Sequence, residues 1–440
     1  MYPYRWLVML CVCLLLRWPA RLAAADRAER SRAFVTDCNR ESGGARFVQD
    51  RFCISFWADP PVDERMEERY KRLAAANFNV VLAHQPKTPE DVARLFDICR
   101  KHDLKAIIRK HVFPTEQLPE DRVCWGYYLV DEPSVDEFAR WSKKVEEIRA
   151  ARPGKLAYIN LLPSHATPEH YHVSTYKEYM SRFMNEVNID VLCFDRYPLM
   201  NPGVDERAGY LENLGIIREH ALKKGIPFWN FFRLIGYDRH FDPTEAQLRW
   251  QVYTSLAFGA KGVLYFTYRT PGRQFKSAII DKYDRPTRHY EHAMRINARL
   301  RNLGPTLMKL TSIDIYRAVP GSGQAFVPPH RLGSVGVFLR EPAPARGHLG
   351  CSIQRISMGD YLIGIFRHED GRRAVLLNNY RFAYTAWPTV EFDVAPDQIM
   401  EVNQDTGQEE PLRDDSPDRE GLQLSMDAGE GRLFLLPAKP

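Results

Sequence analysis

The sequence predicts an α/β fold, a (β/α)8 TIM barrel followed by a small all-β sandwich. Three observations predict it. Between residues 52 and 303, short apolar runs alternate with helical patterns, as a parallel sheet with crossover helices requires. The runs number eight. After Gly304-Pro305 the long amphipathic stretches give way to short alternating strands and tight turns.

The eight expected strands are Phe52–Trp57, Phe78–His84, Leu104–His111, Trp125–Asp131, Leu156–Leu162, Val191–Tyr197, Phe228–Leu234 and Gly262–Tyr268. Most are dense in β-branched and aromatic residues, as befits strands covered on both faces. Several helix starts are legible. Thr88-Pro89-Glu90-Asp91 sets a cap, a proline at the first helical position and early acids before a stretch ending near Lys101. Ser134-Val135-Asp136-Glu137 is a capping box opening a helix that runs towards Arg152. Asp242-Pro243-Thr244-Glu245 opens another, which ends at Gly259. Between strands three and four only about a dozen residues remain, so that connection holds a turn rather than a helix. In the tail, Tyr361–Arg367 and Arg373–Asn378 flank Asp370-Gly371, a hairpin signal, and Thr406-Gly407 marks a second turn. The acidic stretch 409–420 reads as a solvated loop.

Residues 1–25 have the anatomy of a signal peptide: Arg5, an apolar run from Trp6 to Leu16, and small residues ending at Ala25. Export to a secreted or periplasmic location is the expectation. The remaining divisions are a lead-in at 26–51, the barrel at 52–305 and the β-sandwich at 306–440. The apolar run is shorter than the roughly 20 residues a bilayer span needs, and no later segment reaches that length. Net charge is +5, and removing Arg5, Arg17 and Arg21 leaves +2, too little for a nucleic-acid-binding field. Of the cysteines at 38, 53, 99, 124, 193 and 351, those at 53, 124 and 193 lie inside apolar runs, where cysteine serves as a small buried hydrophobe. No paired CxxC or His-rich spacing is present, so neither a metal nor another cofactor is expected. Nothing in the sequence sets an oligomeric state.

Barrel enzymes carry their reacting groups at the C-terminal strand ends. Those ends read Trp57; His84-Gln85; Arg109-Lys110-His111; Asp131-Glu132-Pro133; Asn160; Asp195-Arg196-Tyr197-Pro198; Asn230 and Arg233; and Tyr265, Thr267 and Tyr268. The fourth is the sharpest case, because two acids follow a buried strand and burial lifts a carboxyl towards the range of a proton donor. Capping the next helix is the simpler role, but Ser134 already supplies that. Glu132 is the first choice as general acid/base, with Asp131 orienting hydroxyls or sharing the proton chemistry. Glycoside hydrolysis needs a second carboxyl, and Asp195 is the best candidate, against the alternative of a salt bridge to Arg196, Arg233 or Arg109. Asp190 starts the sixth strand and belongs to the opposite face.

Sugars stack their C–H faces on aromatic rings, and Trp57, Tyr127, Tyr197, Trp229, Tyr265 and Tyr268 lie at or near strand ends. Strand alternation turns about half of such rings towards the helices. Trp57, Tyr197, Trp229 and Tyr268 are the candidates for contacting a carbohydrate, with Asn160 and Arg233 as polar partners. His84 and Arg109 would bind a hydroxyl or an acidic group, or else sit satisfied in the core.

Three stretches carry a resemblance: Gly126-Tyr127-Tyr128-Leu129-Val130-Asp131-Glu132-Pro133, Asp195-Arg196-Tyr197-Pro198, and Arg249-Trp250-Gln251-Val252-Tyr253 through Gly262. With them, residues 52–303 resemble the TIM-barrel glycoside hydrolases of the β-galactosidase-like clan A, and the tail resembles their C-terminal β-domains. In that clan an Asn-Glu pair ends strand four, which implies the acid/base role for Glu132 and puts Asp131 where the clan has asparagine. The clan's nucleophile, a glutamate ending strand seven, is replaced here by Phe231-Phe232-Arg233. Three functions follow as expectations: a glycoside hydrolase using Glu132 and Asp195, a catalytically silent carbohydrate-binding barrel, or a different barrel hydrolase or lyase in which His84, Arg109 and Arg233 read an acidic sugar.

Overall fold

A computed structural model describes residues 44–201, 204–238, 240–318, 326–327, 352–357 and 359–439. The expected signal segment, most of the lead-in, Cys38 and Cys351 lie outside these residues. Eight parallel strands form the first sheet: β1 (Cys53–Phe56), β2 (Val80–Ala83), β3 (Lys105–Arg109), β4 (Cys124–Asp131), β5 (Leu156–Leu161), β6 (Leu192–Asp195), β7 (Phe228–Arg233) and β8 (Gly262–Phe266). Their order is β1-β8-β7-β6-β5-β4-β3-β2, a barrel closed everywhere except between β1 and β2.

Two polar side chains bridge that seam in place of a backbone ladder. Just before β2, the Asn79 amide oxygen accepts from the Ile54 N–H at 2.8 Å and its amide nitrogen donates to the Phe52 carbonyl at 2.8 Å. Beyond β1, the Asp59 carboxylate accepts from the backbone N–H groups of His84 at 2.9 Å and Gln85 at 3.2 Å. Buried backbone groups that find no strand partner must be satisfied in some other way, and these two residues do it.

Seven long helices cover the barrel: α1 (Met66–Ala75), α2 (Pro89–Lys101), α3 (Phe138–Ala151), α4 (Tyr176–Glu186), α5 (Arg207–Lys224), α6 (Glu245–Ala257) and α7 (Arg288–Met308). The expected box at Thr88 is present, with Thr88 and Asp91 each accepting from the other's backbone N–H. The box at Ser134 closes a 3-10 turn, Val135–Glu137, so α3 begins only at Phe138. Between β3 and β4 there are only two such turns, Lys110–Val112 and Thr115–Gln117. The last helix overruns the breaker at Gly304-Pro305. Leu300, Leu303 and Leu307 are all buried on α7, and their packing outweighs the one donor that Pro305 lacks.

Along each barrel strand alternate residues point inward. Cys53, Val80, Ile107, Trp125, Leu156, Val191 and Trp229 cluster low in the barrel with Phe47 of the lead-in, whose ring meets Trp125 edge-on at 5.4 Å. Tyr158, Cys193 and Leu264 lie above them, and Trp57, Tyr128, Phe231 and Phe266 reach the mouth. Cys53, Cys99, Cys124 and Cys193 are free and buried.

The C-terminal region is a pair of antiparallel sheets. Its strands are β9 (Leu310–Ala318), β10 (Phe326–Val327), β11 (Ile353–Ile356), β12 (Tyr361–His368), β13 (Arg373–Asn379), β14 (Thr389–Phe392), β15 (Met400–Val402), β16 (Glu409–Pro411), β17 (Leu422–Gln423) and β18 (Gly431–Leu436). One sheet runs β10-β9-β12-β13-β18-β15-β16 and the other β11-β14-β17. Ile363, Ile365, Val375, Leu377 and Phe434 face Ile353, Val390 and Phe392 across the gap. Both expected turns join hairpins, with Gly371 and Gly407 at positive φ. The stretch at 409–420 is not all loop: its first three residues pair with β15 as the edge strand β16. Among the described residues no helix is long and apolar enough to cross a membrane.

Candidate active site

The C-terminal mouth of the barrel collects the last inward residue of nearly every strand. Trp57, His84, Arg109, Asn160, Asp195 and Phe266 all occupy this layer by strand alternation. Strand β4 departs from the alternation. A register shift lies between Tyr128 and Val130, and Glu132 has a left-handed backbone with φ of 49°. Together they let the consecutive residues Asp131 and Glu132 both stand exposed at the mouth, which a regular strand forbids. A non-glycine residue held there costs about 1 to 2 kcal/mol, and such strain gathers at functional sites.

Three carboxyl groups meet around one amide. Asn160, buried at the end of β5, donates through Nδ2 to Asp131 Oδ1 at 3.0 Å and to Asp195 Oδ1 at 3.2 Å. Its backbone carbonyl accepts from the Glu132 N–H at 2.8 Å, fixing that residue's backbone. The Glu132 and Asp195 side chains are close enough to interact, and the charge of Glu132 opposes that of Asp195. Two carboxyls in such contact favour holding one proton between them. Burial, then the charges of Glu132 and Asp131, push Asp195 well above the ordinary carboxylate range. Desolvation by the mouth's walls, then the charge of Asp131, raise Glu132 too, although its side chain stays open to solvent. Asp131 is raised by the same desolvation, opposed by the Asn160 hydrogen bond.

None of these acids forms an ion pair among the described residues. Two of the three arginines weighed as partners for Asp195 are occupied elsewhere: Arg196 pairs with Glu206 at 2.7 Å, and Arg233 donates to the carbonyls of Leu199, Ile235 and Phe241. No three acids, histidines or cysteines are grouped so as to hold a metal ion, again among the described residues.

The aromatic wall lies on the opposite side. Trp57 stacks obliquely on His84 with ring centroids 4.2 Å apart and meets Tyr128 and Phe231 edge-on, each at 6.0 Å. Tyr197 packs on Phe266 at 5.4 Å on the β6 to β8 side of the mouth.

Three expected contacts need correcting. Trp229 is fully buried two residues below the mouth, stacked on Trp125 and hydrogen-bonded to Gln49, so it belongs to the barrel floor. Tyr268 faces outward and packs on Phe56 and Phe78, because the chain has left the strand by that point. Arg233 is 0% exposed, with both terminal nitrogens bonded to backbone carbonyls, which places it beneath the open surface. Tyr127 and Tyr265 likewise face outward and bond Pro119 and Asn297. The residues missed were Tyr128, Phe231, Phe266 and Asp59. For Phe231 and Phe266 the missing step was strict counting by twos from Trp229 and Leu264, whereas Tyr128 points inward only because the register of β4 shifts near Gly126.

The chain is similar to the solved structure of a catalytic mutant of a family 42 β-galactosidase from G. stearothermophilus, at 8% identity over 90% of this chain and 100% of that one, TM-score 0.55. It is also similar to the β-galactosidase of a Rahnella species, at 9% identity over 90% of this chain and 99% of that one, TM-score 0.50. The fold is that of the clan A glycoside hydrolases. No family model and no curated protein matches the sequence. Against the β-galactosidase of a psychrophilic Marinomonas, the chain spans only 60% of that protein's length, with 57% of its own, 11% identity and a TM-score of 0.43. Within the clan A fold, the β4 end here carries Asp131-Glu132, and the β7 residues sharing the inward parity of Trp229 at the C-terminal end are Phe231 and Arg233, neither of them a carboxylate.

Proposed function

We propose that this chain is an exported glycoside hydrolase that cleaves O-glycosidic bonds of a poly- or oligosaccharide. The observation that carries the reading is the meeting of Asp131, Glu132 and Asp195 at the open mouth of the barrel, the two aspartates bonded to Asn160 and none of the three ion-paired among the described residues. Glu132 is the accessible member and the one that reaches a glycosidic oxygen. Asp195 lies behind it and resists ionisation, so the pair keeps one proton where isolated carboxyls have lost theirs. In this reading the glycosidic C–O bond breaks as Glu132 delivers that proton to the leaving oxygen, water adds its hydroxyl to the anomeric carbon, and the water's remaining proton returns to the Glu132 and Asp195 pair. Asp131, aligned by Asn160, supplies the negative charge that steadies the oxocarbenium-like transition state. Trp57 offers a face for the sugar ring.

The raised pair also sets the pH dependence. Turnover is present while the pair holds its proton and falls as pH rises through its upper pKa. The decisive experiment is Glu132→Gln in the full chain, assayed by sugar release from a panel of polysaccharides. Loss of turnover with an unchanged melting profile is expected, because the amide keeps the shape but has no proton to give. Hydrolysis at the original rate would reject the assignment. The phenylalanine at the β7 mouth favours a second reading, a barrel that binds carbohydrate without cutting it. Binding of a glycan that the unmutated chain never hydrolyses would support that one.

A further inference from the structure

We infer that the β1 to β3 side of the mouth is an anion subsite, in which Arg109 binds a carboxylate or sulfate carried by the sugar. The inference rests on the carbohydrate reading above and names the class of sugar. Arg109 ends β3 as an inward residue, in the same layer as Trp57, His84 and Asp195. It is the one arginine of that layer that makes neither an ion pair nor a hydrogen bond among the described residues, whereas Arg233, whose Nε is also unpartnered, donates through both terminal nitrogens to backbone carbonyls. Its Nε is buried and unpartnered. A buried guanidinium nitrogen without an acceptor is costly, and the usual remedy is an anion that accepts two parallel hydrogen bonds.

The surroundings hold the group ready. Its guanidinium carbon lies 5.8 Å from the Tyr128 ring centroid. His84, between Trp57 and Tyr128, is kept neutral: burial, then the charge of Arg109, lower its pKa to about 3. Both its ring nitrogens are buried without partners, leaving a donor and an acceptor for a hydroxyl beside the anion. Asp59, the nearest acid behind the layer, spends its oxygens on the N–H groups of His84 and Gln85. The mouth is therefore divided, with three carboxyls over β4 to β6 and a lone cation over β3. A sugar lying on Trp57 would present its glycosidic oxygen to the acids and its anionic substituent to Arg109.

The test measures binding on the full chain carrying Glu132→Gln, so that turnover plays no part. Titration calorimetry or ligand-observed NMR compares methyl glucuronide with methyl glucoside, galacturonate with galactose, and galactose 6-sulfate with galactose. At least one anionic member is expected to bind about tenfold more tightly than its neutral partner. Adding Arg109→Met should abolish that preference and leave the neutral sugar's affinity unchanged, while Arg109→Lys retains part of it. Which pair shows the preference separates uronate from sulfate. Equal affinity within every pair, absence of binding by every probe, or an equal loss for both members in Arg109→Met would overturn the inference. The two readings fail separately. Anion preference in a chain that hydrolyses nothing leaves the subsite and removes the hydrolase, and turnover of neutral glycans without anion preference does the reverse.

Discussion

Replacing Asp59 by asparagine should change how stability responds to pH, by an amount the structure fixes. The carboxyl is 1% exposed, and among the described residues the only basic side chain within 4 Å is His84 at 3.9 Å, whose ring is held neutral. Desolvation pushes it from 3.8 up to about 7, against the pull of the His84 and Gln85 N–H groups and of Arg109. The folded protein thus holds this proton over about three pH units in which the unfolded chain releases it. At 1.36 kcal/mol per unit the contribution is about 4 kcal/mol. The folded pKa is raised, so this stabilisation is fully present below pH 4 and is lost as pH climbs through 7. Asparagine carries no charge at any pH, and its weaker acceptance of the two N–H groups is a constant offset. The unfolding free energy of the unmutated chain minus that of Asp59→Asn should therefore fall by about 4 kcal/mol between pH 4 and pH 8. Urea denaturation of both proteins at pH 4, 5, 6, 7 and 8 measures this. A difference that stays flat, or grows with pH, would refute the claim that a desolvated, unpaired acid lies at the seam.

Other outcomes follow from the same geometry. Asn79→Ala removes both side-chain bonds across the lower seam and strands the Ile54 N–H and the Phe52 carbonyl, so it should destabilise by about 2 to 5 kcal/mol in urea melts. Trp229→Ala empties the barrel floor and should cost about 3 to 5 kcal/mol while leaving sugar affinity intact at temperatures where the variant is folded. Trp57→Ala should show the opposite pattern, a smaller stability loss with about tenfold weaker sugar binding by calorimetry, since its ring is half-buried at the mouth.

The eight strands were legible because each is a short apolar run ended by a polar residue, and their alternation with helical patterns leaves few other arrangements. The missing third helix was legible from chain length alone. The site was readable only in part. Asp131, Glu132, Asn160 and Asp195 could be found as strand ends, yet their convergence on one amide depends on the β4 register shift and the left-handed Glu132, neither of which has a sequence signal. Trp229 and Tyr268 were misplaced by two different errors of depth. The first is inward but low, and the second lies past the point where β8 ends. Arg233 misled because a polar residue ending an apolar run looks the same whether it greets a ligand or ties down neighbouring loops. Asp59 left no mark in the pattern, because the gap it closes exists only once the barrel is formed.

Helix α6 has a consequence for the whole molecule. Nine of its residues are buried around its full circumference, one side meeting the barrel and the other the large antiparallel sheet, where Trp250 contacts Tyr380 and Phe382. The approach is so close that a methyl group added at Gly364 would fall 2.4 Å from the Ala257 carbonyl, and one at Gly429 would fall 2.3 Å from that of Ala246. A chain ended at Met308 would turn this greasy shaft out to water and would clump rather than yield a smaller folded barrel. The tail is thus not a tool to be unscrewed or exchanged. Whoever tailors this scaffold must recast both halves together, as one casting.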